Sequence, residues 1–404
     1  PVRNFARFNI SDGSSEDCYE HEQDENDVNE HMQKVFTTFI NILMKNCRMI
    51  RIVGAGPAGN YAAYLLAGEF DVEVHEEHKE IGAPIQCTGI LTGNLQELIK
   101  IDQQFLVNTI KRVRVQSKQN ESHFTLQHPN YVVHRSFFDS HLAALAKEKG
   151  AHYHLHSKFL GCAVHAEKIH CQFSDGEQDA DYLVGADGPH SAVARSVGIY
   201  GKRRFYHGLQ ATVKRDFERD LVEFYIGKHY IGWVVPENEE FARVGVSSET
   251  IAAEKFKEVL AKVGGKIVAR QAGPIPIYEN GIKTSFKDKV FLVGDAAAQV
   301  KASTHGGIIP GMIAAQALAQ ALKTGSSYDV LWKKKLAKDL KMHALIKKMM
   351  DNFTDNDFDF LLKLMNQKKV QKIIEEHDRE FPSRFATKLI LKEPRFLKFL
   401  PRML

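Results

Sequence analysis

The sequence predicts an α/β protein: a Rossmann-like nucleotide-binding domain, an inserted antiparallel β-sheet domain and a C-terminal helical region. Three observations predict it. MIRIVGAGPAGNYAAYLLA, from Met49 to Ala67, runs an apolar strand into a glycine-rich turn and then an Ala-rich helix. Between about 200 and 278, segments such as LQATVKRD, LVEFYIG, YIGWVVP and ARVGVS read as strands with turns, interrupted by the helical AAEKFKEVLAKVG. Beyond Gly325 the composition shifts to Lys, Leu and Met at helical spacing, as in LWKKKLAKDLKMHALIKKMM.

The first stretch carries the most chemistry. In GAGPAG, Gly54 suits the tight turn, Gly56 allows the main chain to approach a pyrophosphate, and Gly59 allows close packing of helix on strand, with Ala58 between them. Free N–H groups and the positive end of the helix dipole would meet the phosphates. The next strand, DVEVHEE, ends in Glu76 and Glu77 about twenty residues further on, where a carboxylate would accept hydrogen bonds from ribose hydroxyls. Glu76 is the better placed, and Glu77 reads as solvated.

Composition bounds the rest. A chain of 404 residues with 44% apolar and 26% charged residues buries a sizeable core, and a net charge of +4 demands no nucleic acid partner. Cys18, Cys47, Cys87, Cys162 and Cys171 form no spacing that holds a metal or an iron–sulfur cluster, so no metal is expected. They fit a reduced, cytoplasmic setting. No apolar run is long enough to span a bilayer. Residues 1–48 are acidic, rich in Ser and Asn, and without sustained periodicity before about Val35. They are expected to be a poorly ordered or upstream-translated extension, the working protein starting at Met49. The alternative is an acidic arm with a short helix from about Glu30 to Asn46.

Two later segments decide which dinucleotide is bound. DYLVGADGPHSAVARSVGI ends a strand at Gly185 and opens a turn at Asp187 and Gly188 before Ser191 and Arg195. KVFLVGDAAAQVKASTHGGIIPGMIAAQALAQAL gives a strand, Gly294 and Asp295, a loop, then Gly306 and Gly307 entering a long small-residue helix at Ile308. From Met49 to about Thr324 these stretches resemble the flavoproteins of the para-hydroxybenzoate hydroxylase fold. That resemblance implies FAD lying extended across the Rossmann-like domain, Asp295 near its ribityl chain, and a helix N-terminus near Gly307 aimed at the pyrimidine end of the flavin ring. Only one GxGxxG is present, so electrons are expected from a donor other than NAD(P)H bound in a second nucleotide domain.

Within that fold, EIGAPIQCTGILT (residues 80–92) resembles the geranylgeranyl reductase branch, whose IG-x-P-x-x-C stretch brings a cysteine beside the flavin. This implies Cys87 and Thr88 at the cofactor. YVVHRSFFDSHLAALAKEKGA is similar to the segment whose arginine touches FAD, here Arg135. HYIGWVVPENEEFARVGVS resembles the branch's Y-x-W-x-F-P element and implies Tyr230 and Trp233 in a lipid cavity wall. Val235 departs from the branch pattern, as do Ala302 and His305, which stands where glycine is usual.

The implied reaction is saturation of C=C bonds in geranylgeranyl chains, with hydride from flavin N5 and a proton from an acid. Cys87 is the first candidate for assisting it and His305 the second, the latter as a loop histidine titrating near neutrality. The domains are expected at 49–199 with 279–325 for FAD, 200–278 for the substrate sheet, and 326–404 for a basic helical region. Arg384, Lys388, Lys392, Arg395, Lys398 and Arg402 there suggest peripheral contact with the inner face of a membrane. A prenyl lipid substrate and an electron-donor protein such as a ferredoxin are the expected partners. An aromatic monooxygenase of the same fold is the alternative reading. A halogenase would expect tryptophan where Ile231 stands, a quinone-linked dehydrogenase would bring cluster cysteines, and a binding protein would use FAD structurally.

Overall fold

The computed structural model describes residues 46–403. Of the expected N-terminal extension only residues 46–48 fall among them, and they begin the first strand instead of preceding it; the expectations for residues 1–45 lie outside the described residues, as do the side chains of Cys18 and Cys47.

The fingerprint folds as its pattern dictates. The strand Asn46–Val53 leads through the turn into the helix Pro57–Leu66, which has proline at its first position and Gly56 as an uncapped N-cap. In the apolar strand Ile50 and Ile52 are wholly buried. This strand sits inside a six-stranded sheet ordered Ser285–Phe286, Val290–Leu292, Tyr182–Gly185, Asn46–Val53, Phe70–Glu76, His152–Leu155. Parallel pairing joins Ile50–Val53 to Tyr182–Gly185, and Leu183–Gly185 to Val290–Leu292, so all three nucleotide segments end at one edge of the sheet. Helices Pro57–Leu66, Arg135–Glu148 and Ile308–Thr324 pack together over one face in a continuous apolar core.

An eight-stranded sheet forms the second layer, ordered Lys266–Pro276, Phe205–Lys214, Phe241–Ser248, Tyr230–Pro236, Leu221–Gly227, Leu106–Gln116, Glu121–Val133, Ile90–Leu91. The expected substrate segment, 200–278, supplies only five of these strands. The other three come from within 49–199: the chain leaves the nucleotide sheet after Glu76, builds the strands up to Val133, and returns with the helix from Arg135. The parallel pairing of Leu221–Tyr225 with Arg112–Gln116 joins the two contributions. The strand ESHFTLQHPNYVV carries a polar run in its middle and buries continuously from Asn130 to Val133. That irregular pattern hid it from a period-two reading.

The C-terminal region is helical as expected, with helices Lys338–Asp351, Asp355–Met365, Lys368–Glu376 and Ala386–Lys392. A capping box at Thr354 and Asp357 starts the second of them. Far from being a solvated appendage, this region packs against the large sheet through Met365 and Ile374.

Candidate active site

The glycines of the turn are explained by close approach. Gly54 has φ +100°, and a Cβ on it would stand 2.5 Å from the Ala186 carbonyl oxygen. A Cβ on Gly59 would stand 2.0 Å from the Gly54 carbonyl oxygen, whereas one on Gly56 would meet nothing of the chain within 4 Å. Gly56 therefore leaves an open side at a helix N-terminus whose amides lack a side-chain cap. Glu76 secures the turn: its carboxylate accepts from the Ala55 N–H at 2.8 Å and from the His78 N–H at 3.0 Å. Glu77 instead pairs with Lys158 at 3.0 Å and is half exposed, as expected.

Asn60, which the sequence reading passed over, ties the fingerprint to its surroundings. Its amide donates to the carbonyls of Ala55 at 2.7 Å and Asp139 at 2.9 Å, and its oxygen accepts from Tyr153 at 2.9 Å. A polar residue on the fully buried face of an Ala-rich helix was the available signal. Ala58 and Gly294 are packing positions: a Cβ on Gly294, φ +65°, would come within 2.9 Å of the Ala58 Cβ, and Gly311 closes the same contact. The Asp187 carboxylate accepts from Ser191 Oγ at 2.7 Å and the Val193 N–H at 3.0 Å. Both bonds fasten the turn that begins at Gly188, φ +75°.

Between the two sheets and the C-terminal helices lies a cavity of about 500 Å³. Of the residues expected at the cofactor, Cys87, Thr88, Arg135, Asp295, Gly306, Gly307 and Ile308 line it, while the 54–59 turn, Glu76, Asp187, Gly188 and Gly294 do not. Arg135 opens its helix, grips buried Asp139 with two hydrogen bonds of 3.1 and 2.8 Å, and lies against the Cys87 thiol. Burial pushes the Asp139 carboxyl above the usual carboxylate range, and Arg135 opposes that shift. Asp295 sits in a 3₁₀ turn, accepts no side-chain hydrogen bond from the described residues, and is pushed up to about 6 by burial, against the pull of Arg135 and Arg203. A Cβ on Gly307 would come within 2.7 Å of its Oδ1.

The wall opposite Asp295 is one face of the large sheet. Strand alternation puts Phe224, Ile226, Ile231 and Trp233 on it, with Val113, Phe124 and Leu126 from the neighbouring strands. Trp233 donates to Gln210 Oε1 at 2.8 Å, which also accepts from Thr88 Oγ1 at 2.7 Å, so the Cys87–Thr88 loop is tied to the sheet. Tyr230 does not belong to this wall. One residue out of phase with Ile231 and Trp233, it stacks over Gly227 and packs toward the helix Ala252–Val263. The roof comes from Met350, Met365, Ile374, Arg379 and Phe385, none of which the sequence reading singled out.

His305 departs from its expectation. Its backbone is left-handed, φ +58°, where glycine is the easy residue. Its imidazole is enclosed rather than facing water: Nδ1 lies 2.6 Å from Ser247 Oγ and the ring packs at a tilt of 37° against Tyr206, centroids 4.2 Å apart. Burial, with Lys347 nearby, pushes it down to about 3, so it is neutral at pH 7. Deeper in the same loop, Lys301 pairs with Glu380 in a contact buried on both sides, which clamps the C-terminal region onto the loop. Away from the cavity, Glu73, His75 and His154 place three ligand atoms within 4.8 Å of one another. The Arg51 guanidinium pairs with Glu73 and stands 3.2 Å from His75 Nε2, filling that place with a fixed cation.

An uncapped helix N-terminus with an open glycine at one end, and an unbonded carboxylate beside a second uncapped helix N-terminus at the other, fit an extended dinucleotide carrying a flavin. The class so defined is an FAD-dependent oxidoreductase. Residues 47–325 match the FAD binding domain family, and the chain belongs to it.

Among its relatives, the digeranylgeranylglycerophospholipid reductase of Methanosarcina acetivorans is 28% identical over 371 residues, covering 81% of this chain and 91% of the relative. That of Methanocaldococcus jannaschii is 26% identical over 390 residues, covering 87% and 97%. The fold is shared with a geranylgeranyl bacteriochlorophyll reductase-like protein of Thermoplasma acidophilum (TM-score 0.76, 24% identity, 89% and 99% covered). A flavin-dependent brominase shares it less closely (TM-score 0.64, 19% identity, 82% and 92% covered).

Proposed function

We propose that this protein saturates C=C bonds in the geranylgeranyl chains of membrane lipids or their precursors. The observation that carries the reading is the apolar, sheet-walled cavity that ends on Cys87, Arg135, Asp295 and the Gly306–Ile308 loop. When bound and reduced, FAD supplies hydride to one alkene carbon. The chain does the rest. Phe224, Ile226, Ile231 and Trp233 exclude water and align a branched hydrocarbon, which prolongs any cationic character that protonation creates. The amides at Gly307 and Ile308 offer positive potential at the ring end. Arg135 holds the Cys87 thiol against the site. The relatives' shared activity favours this reading over the monooxygenase, which has only the shared fold behind it.

The test is single-turnover. Protein reduced anaerobically with dithionite is mixed with a geranylgeranyl glycerophospholipid, and flavin absorbance and lipid mass are followed. Reoxidation with gain of whole hydrogen pairs is expected; a flavin that stays reduced beside unaltered lipid would overturn the reading.

A lipid substrate must be drawn from a bilayer, and we propose that the C-terminal surface rests on one. Among the described residues no helix is long and apolar enough to cross a membrane. The basic residues expected to carry the contact are largely engaged: Arg395 with Glu393, Arg402 with Asp357, Lys388 with Glu376, and Arg384 over Phe381. The apolar side chains are the stronger feature. Leu391 is 75% exposed, Ile390, Leu397 and Leu400 are also exposed, and Phe385 just before them lines the cavity. Liposome flotation of the full chain is expected to survive about 0.5 M salt, where screening removes most of the attraction between exposed charges. It should fall at least about fivefold, roughly 1 kcal/mol, in a Leu391→Glu, Leu397→Glu double variant. Equal recovery of parent and variant would refute the surface.

A further inference from the structure

Away from the cavity, a small third sheet carries two of the cysteines. The strands Phe159–Val164 and Ile169–Phe173 form a hairpin, and Gly176–Ala180 completes the sheet before the chain enters Tyr182–Gly185. Antiparallel register sets Cys162 directly opposite Cys171. Ile169, Cys171 and Phe173 occupy the buried face of their strand, so Cys162 shares that face. Cys171 is wholly enclosed, Cys162 is half-buried, and both are free thiols.

The turn fixes what kind of pair this is. The His165 N–H donates to the Lys168 carbonyl at 3.0 Å, which makes residues 165 and 168 a hydrogen-bonded pair. Register runs unbroken from Val164–Ile169 to Gly161–Gln172, with the bulge lying beyond Gly161. Antiparallel pairs alternate between bonded and unbonded, so 164–169 is unbonded, 163–170 bonded and 162–171 unbonded. In the unbonded type the Cα atoms approach to about 4.5 Å and the side chains stand closest. That falls inside the Cα separation of about 4.4 to 6.8 Å that a disulfide requires. We propose that Cys162 and Cys171 are a reversible dithiol–disulfide site, closed by hydrogen peroxide and reopened by a dithiol.

The half-buried Cys162 is the end that a molecule as small as peroxide reaches. Its sulfur attacks one peroxide oxygen, the O–O bond breaks, and the thiol proton leaves with the other oxygen as water, giving a sulfenic acid. Cys171 sulfur then attacks the Cys162 sulfur, its proton departs with the hydroxyl as a second water, and the S–S bond forms. Two thiols lose two electrons and two protons, and one peroxide becomes two waters. Burial holds Cys162 up to about 11 and, with the charge of Cys162 adding to it, Cys171 up to about 12. Thiolate is therefore scarce at neutral pH, and the pair stays reduced in brief exposure and closes under sustained peroxide. In a reducing compartment such a bond is transient and reversible. It locks together the two strands of a hairpin whose tip is already held by Lys289, which donates to the Ala166 and Glu167 carbonyls at 2.7 Å each.

The test is peptide mapping of the full chain with FAD bound. The protein is held in excess hydrogen peroxide, quenched in acid, alkylated and cut with trypsin. Cleavage after Lys158, Lys168 and Arg195 puts the two cysteines on separate peptides, 159–168 and 169–195. A closed pair joins these peptides in one species two hydrogens lighter than their sum, and dithiothreitol parts them. Alkylation of both cysteines is expected to fall at least about fivefold. Hydrogen exchange of the amides from 159 to 173 is expected to slow in the oxidised parent and to be unaffected by peroxide in Cys171→Ala, with Cys162→Ala in its place if that chain does not fold. Separate alkylated peptides after the treatment, Cys162 recovered as sulfinic acid beside a Cys171 thiol, either cysteine joined to a different one, or equal slowing in the alanine variant would overturn the site. No lipid turnover enters these readouts, so they stand whether or not the reductase reading does.

Discussion

A Gly56→Ala protein will fold as stably as the parent without FAD and fail to hold the cofactor, whereas Gly59→Ala will lose both. The difference follows from what each new methyl group meets. At Gly56 the backbone is extended, φ −79° and ψ −178°, and no atom of the chain lies within 4 Å of the place a Cβ would take. The FAD-free protein should therefore change by less than about 1 kcal/mol, the usual effect at an N-cap. The open side is where a pyrophosphate must approach the amides, and a methyl there denies it. At Gly59 the methyl would sit 2.0 Å from the Gly54 carbonyl oxygen and 3.1 Å from the Ala186 Cβ, all in a well-packed core. Moving that strand from its helix should cost about 3 kcal/mol, in the range of core overpacking. Urea melts of FAD-free protein and flavin titration separate the two outcomes. A Gly56→Ala protein that binds FAD like the parent would show that the pyrophosphate lies elsewhere.

Asp295→Asn is expected to stabilise the FAD-free protein at pH 8 and to weaken FAD binding. Burial raises the Asp295 carboxyl from 3.8 to about 6, so the folded state binds this proton more tightly than the unfolded chain does. The sign follows from linkage. Stability on this account is full below about pH 4, declines as pH rises through 6, and by pH 8 the ionised carboxylate costs about 3 kcal/mol. Asparagine removes that loss, so its FAD-free stability should be nearly flat across the interval. A carboxylate kept ionised at such expense has a use when a hydroxyl-bearing ligand donates to it. Losing that charged hydrogen bond should raise the FAD dissociation constant by roughly ten- to a hundredfold. Melts at pH 5 and 8, with and without FAD, check both halves. Parallel pH profiles for parent and variant would remove Asp295 from the account.

How much of this was legible beforehand depended on the range of the interaction. Gly54, Gly56 and Gly59 were readable because the constraint on each is local: a turn, an open helix end and a helix resting on its own strand. The Gly306–Ile308 entry was readable because a strand, a turn and a helix follow one another within a few dozen residues, and the place of Asp295 came from the resemblance to known flavoproteins. Tyr230 was misplaced for a reason equally local, since one residue of phase decides which face of a strand a side chain occupies. Asp187 shows the opposite limit. Its residue type suits a ligand or a cap, and only the folded positions of Ser191 and the Val193 N–H show that it fastens the turn.

By itself the sequence determined the nucleotide-binding half, because motif spacing along a chain encodes the order strand, turn, helix, and its resemblance to known flavoproteins supplied the cofactor class and the reductase branch. Only the tertiary structure decided the rest. It drew the strands between Ile90 and Val133 into the substrate sheet, laid the C-terminal helices over the cavity, locked Lys301 to Glu380 across 79 residues, and enclosed His305 in neutral form. The physical reason is that burial and pairing between distant residues set desolvation, and desolvation fixes both the protonation state of a side chain and the cavity it can serve.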